Sequence, residues 1–195
     1  WHDFVLNFSG EIVEWGEHFR VEQFAEYLGF CVGPDSRQHQ WKKVCNKAND
    51  TSLQTVAFDI NDPDSEVIKL GSNTVIYTGT NSSSGGVDVE AGTLKVSGSD
   101  NLGSGEVSLE GGELEISTNT TLTNAISSSS DDSTIDTSSN SVTASGTLSG
   151  SKEINKTGTG TLTLTGTLNN TGGMDVKSGT LIANGTGVTP VTVTS

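Results

Sequence analysis

The sequence predicts an all-β protein whose main body is a parallel β-helix, preceded by a small mixed cap. Three observations carry that expectation. The chain repeats itself at a long fixed offset, its apolar residues alternate with polar ones in short runs, and its rings and cysteines gather at one end.

The repeat comes first. Val67–Val96 aligns with Ile154–Ala183 without a gap, at an offset of 87 (154 minus 67). Lys69 falls on Lys156, Gly71 on Gly158, Thr78-Gly79-Thr80 on Thr165-Gly166-Thr167, Gly85-Gly86 on Gly172-Gly173 and Gly92-Thr93-Leu94 on Gly179-Thr180-Leu181. Self-similarity of this kind marks a repeat architecture, and such an offset fits about four solenoid turns of roughly 20–25 residues. Within the copies the period is 2, as in Thr161-Leu162-Thr163-Leu164-Thr165 and Val87-Asp88-Val89, which is strand alternation. Short strands also build sandwiches, but a sandwich core usually holds rings. After Phe58 the one aromatic residue is Tyr77. Small aliphatic side chains stacking on their copies, one strand spacing apart, suit a β-helix better.

The elements follow in chain order. Residues 1–52 form the cap or a binding module, and residues 53–195 the β-helix. All three Trp (Trp1, Trp15, Trp41), all three His (His2, His18, His39) and both Cys lie in the first part. Val21, Phe24, Ala25 and Leu28 recur at helical spacing with Gly29 as a stop, so a short amphipathic helix is expected over Arg20–Leu28. Cys31 and Cys45 are read as one local disulfide in an oxidising compartment. Two free thiols, or half a metal site with His39, stay open as alternatives. Strands are expected at Thr74–Tyr77, Val87–Val89, Leu94–Val96, Val107–Leu109 and Leu114–Ile116. The run Ser127–Ser133 is read as a protruding loop. Strands resume at Ile135, Val142–Ala144, Ile154, Leu162–Leu164, Met174–Val176, Leu181–Ala183 and Val191–Val193. The last of these carries no capping signal, so a longer solenoid is expected.

Residues 67–183 resemble passenger domains of Gram-negative autotransporters. The resemblance rests on Lys156-Thr157-Gly158-Thr159-Gly160-Thr161-Leu162-Thr163-Leu164-Thr165-Gly166, on Thr171-Gly172-Gly173-Met174-Asp175-Val176-Lys177-Ser178-Gly179-Thr180-Leu181, on Asn101–Gly112 and on Thr134-Ile135-Asp136-Thr137. Leu168-Asn169-Asn170 and Asn81-Ser82-Ser83 stand where that family often has a Tyr. The resemblance implies a right-handed β-helix, export through the periplasm, and display at the cell surface or release from it.

Charge narrows the partners. The chain carries a formal charge of −14. From Ile60 onward it has 15 acids, 5 lysines and no arginine. A nucleic-acid footprint is basic, and anionic membranes also attract bases, so neither is an expected partner. No apolar run is long enough to cross a bilayer as a helix.

No catalytic residue, metal or cofactor is assigned. The histidines pair only loosely with Asp3, Glu17 and Asp35, and no serine-nucleophile motif occurs. The solenoid part lacks an Arg base, and its acids (Asp88 and Glu90, Glu113 and Glu115) alternate outward as solubilising residues do. The acidic run Asp59–Glu66 breaks Ca²⁺-loop spacing at Pro63 and is read as a solvated turn.

The expected function is adhesion to, or interaction with, host or neighbouring cells through a cell-surface protein or glycan, with self-association as a further expectation. Trp1, Trp15 and Trp41 are the candidate partner-binding residues, because large rings dominate interface energies. A soluble effector acting on a host receptor is the runner-up, and a polysaccharide-active enzyme stands third.

Overall fold

The computed structural model describes residues 53–57, 59–61 and 63–194, together with the backbone of the short strands Phe4–Leu6, Ile12–Glu14 and Phe30–Pro34. From Gln54 on, the chain coils as a parallel β-solenoid of about seven turns.

Each turn lays one strand on each of two long sheets. The first face runs Phe30–Pro34, Ser65–Lys69, Val87–Val89, Val107–Leu109, Ile126–Ser128, Leu148–Gly150, Thr167–Asn170 and Thr186–Gly187. The second runs Gln54–Val56, Thr74–Tyr77, Thr93–Val96, Glu113–Ile116, Ser133–Asp136, Ile154–Thr157, Met174–Val176 and Val191–Val193. A third, four-stranded face begins only at Thr120–Leu122 and continues through Ser141–Ala144, Thr161–Leu164 and Thr180–Ala183. In the earlier turns that side is filled by the bridge Ile60–Asn81 and by one helical turn, Ser99–Leu102. The amide of Asn81 donates to Asp100 and the Ser99 hydroxyl donates to Thr121. The helical turn therefore sits between the bridge and the third sheet.

Register fixes the turn length. On the second face Val75, Leu94, Leu114, Ile135, Lys156 and Val176 are successive partners, so neighbouring turns stand 19 to 21 residues apart by subtraction of those paired numbers. On the first face the inner column is Val67, Val87, Val107, Ile126, Leu148 and Leu168. On the third it is Leu122, Ala144, Leu164 and Ala183. Lys156, Val176 and Ala183 aside, these columns make one continuous apolar core. Tyr77 is its one ring among the described residues, and its hydroxyl donates to the carbonyl of Thr80. Every strand pair in the solenoid proper is parallel, which rules out the sandwich. The exception lies at the edge, where Phe30–Pro34 pairs antiparallel with Ser65–Lys69 and so covers the open side of the first face. Unpaired edges invite association, and covering one removes that hazard.

The run Ser127–Ser133 is corrected. It is not all loop: Ile126–Ser128 is a first-face strand, and Ser127 and Ser128 are buried. Only residues 129–132 are exposed. The Ser128 hydroxyl donates to Asp131 and that of Ser133 donates to Leu109, so the serines satisfy their own polarity at the corner and can enter the core. The expected helix at Arg20–Leu28 and the Cys31–Cys45 pairing lie outside the described residues; of Cys31 only the backbone is described.

Candidate functional site

Two lysines point into the interior. Lys69 and Lys156 are fully buried, each at the inner end of a strand, two residues after a core apolar residue (Val67, Ile154). Period 2 puts both members of each pair on the inner side of the strand. A buried ammonium survives only with partners, and both have them. Lys69 Nζ donates to the carbonyls of Leu70 (2.8 Å), Gly71 (2.8 Å) and Ala91 (2.9 Å), and to Asn73 Oδ1 (3.3 Å). Lys156 Nζ donates to the carbonyls of Thr157 (2.5 Å), Gly158 (3.0 Å) and Ser178 (3.2 Å).

The two sets are the same motif. The chain bends at Gly71 and Gly158, offering two carbonyls, and the third comes from the next turn. A glycine of that next turn closes the site. Gly92 (φ +64°) and Gly179 (φ +74°) lie so close that a Cβ would collide with the corner carbonyls and with the lysine Nζ, respectively those of Gly71, Asn73 and Lys69 and those of Gly158, Gly160 and Lys156. Burial pushes the Lys69 ammonium down to about 8. Burial also lowers Lys156, while the Asp136 charge pulls it back up.

The corners themselves differ. The first copy bends from the first face to the second, the second copy from the second face to the third. Four turns on the first face carry Val67 to Leu148, and Ile154 is one corner further on. The offset of 87 is therefore four turns plus one face.

Outside, the solenoid is acidic. Asp88 sits half-buried near Glu90, Glu110 and Glu106, and burial first, then those neighbours, raise its carboxyl, while a hydrogen bond from Ser108 opposes them. Glu113 is raised by burial and by Asp136 and Glu115. Lys95 answers Glu115 at 2.5 Å, and Lys177 answers Asp175 at 2.5 Å, where Thr194 also donates. In the acidic run, Asp59 accepts from the amide and hydroxyl of Thr80, which ties that stretch to the following turn. Among the described residues no group of three or more His, Cys, Asp or Glu could hold a metal ion.

Of the sequence-predicted site residues, Trp1, Trp15, Trp41 and Cys45 lie outside the described residues, as does the side chain of Cys31. Sequence reading aligned the two lysines but gave them no role. The signal was present: a Lys at an inward position of an alternating strand, followed by Gly two residues on.

Residues 67–96 and 154–183 each match the model of the passenger-associated-transport-repeat family. No curated protein and no solved structure matches the chain.

Proposed function

The chain carries the repeats of an autotransporter passenger domain on a parallel β-solenoid, and from that premise we propose that it acts outside the cell as a rigid, non-enzymatic spacer and contact surface, binding host or neighbouring cells. The repeat family implies secretion or surface display. The observation that carries the reading is the coincidence of the two matched repeats with the two lysine corners: the recognisable sequence builds the rod. Contact with a partner then falls to outward side chains and to the aromatic first 52 residues.

The test is attachment. Beads coated with residues 1–195 are offered to host-cell surface protein and to matrix glycans, beside beads coated with residues 53–195. Retention by the longer form alone places the contact in the first 52 residues, and equal retention places it on the rod. No retention by either, with soluble protein eliciting a cellular response, would favour an effector over an adhesin.

A further inference from the structure

We propose that the repeat is a two-turn staple that fastens neighbouring turns at a corner, whichever faces meet there, and that its two copies are where the solenoid opens last. The inference is independent of where the chain is displayed. It rests on three parts that recur at both sites. A buried ammonium fills the inside of the bend, carbonyls of two successive turns accept its protons, and a glycine of the second turn lies against the bend too closely to carry a side chain. The neighbouring corner shows the contrast. Gly112 lies on Val89 as Gly92 lies on Lys69; the Val89 carbonyl accepts from the amides of Glu110 and Gly112, but its side chain offers only apolar contact and no donor. The stapled corners thus add charge-assisted bonds across the turn boundary, which are the stronger kind.

In a solenoid each turn touches only its neighbours, so stability is local and opening begins where that coupling is weakest. A uniform rod frays from its ends, and its middle opens last. The staples reverse that order. Residues 65–96 and 154–183 flank the middle turns at 107–150, and they open after them.

Native-state hydrogen exchange read by mass spectrometry on the 195-residue protein tests this. Peptides from 65–96 and 154–183 are expected to exchange more slowly than those from 107–150. Lys156→Met keeps the bulk in the bend but takes the ammonium away from three carbonyls. Of these, Thr157 and Gly158 keep bonds from Thr137 and from the Ser178 hydroxyl, and Ser178 loses its charge-assisted bond across the turn boundary. Amides of 154–183 should therefore exchange about ten- to a hundredfold faster, with 65–96 unchanged. Gly179→Ala keeps the lysine and lifts the lid; it should speed the same residues and carries the test alone if Lys156→Met does not fold. Slowest exchange in 107–150, or a Gly179→Ala effect spread evenly along the rod, overturns the proposal.

Discussion

Lys69 and Lys156 show how one residue type reverses its usual role. An exposed lysine solubilises; a lysine ringed by carbonyls inside a bend joins two turns. The lids are equally specific. Gly92 has a backbone conformation that side chains rarely adopt, and a Cβ there strikes backbone oxygens. Gly92→Ala is expected to cost at least about 1–3 kcal/mol, seen as a lower urea midpoint. Asp88 gives the opposite expectation. Its folded-state pKa is raised, so the folded chain holds that proton more tightly than the unfolded chain does. The resulting stabilisation is present below the unfolded pKa of about 4 and is lost as pH rises through the folded value. At neutral pH the crowded carboxylate therefore weakens the fold. Asp88→Asn should raise the melting temperature at pH 7 and flatten its dependence on pH just above about 4. The outward place of Asp88 was legible from alternation. The inward place of Lys69 follows from the same rule, but the Ala91 carbonyl that helps to hold a buried ammonium there comes from the next turn, beyond any local window of sequence.

At the scale of the strand, the inner columns carry the energy. Leu114 is fully buried between Leu94 and Ile135. Leu114→Ala should cost about 2–5 kcal/mol, measured by denaturant unfolding. Second-face strands were legible because their inner residues are aliphatic almost throughout. First-face strands were not, from Ile126–Ser128 onward. There Ser128, Gly150 and Asn170 are register partners on the inner side, and the apolar–polar alternation breaks. Asn170 stays inside because its amide donates to Ser149 and Lys152 and its oxygen accepts from Gly173. Hydrogen bonds of this kind depend on the stacked turn beside them, which no local window of sequence contains.

At the scale of the whole molecule, coupling along the axis is short-ranged. Lys69 and Lys156 stand about four turns apart, on the order of 20 Å at one strand spacing per turn. Their replacements should then act independently. The stability loss of the Lys69→Met/Lys156→Met double variant is expected to equal the sum of the single losses within about 0.5 kcal/mol, with unfolding midpoints as the check. A larger discrepancy would mean that strain passes through the intervening turns.

The displacement of the second repeat by one face has a consequence for how such chains lengthen. The recurring unit, a bend with its flanking strands, has no fixed compass direction around the axis. A duplicated tract inserted into a gene of this kind need not amount to whole revolutions; it has only to arrive where the ribbon changes direction. Growth by copying would thereby be freed from the arithmetic of the coil, and two copies of one motif can look out in different directions from the same rod.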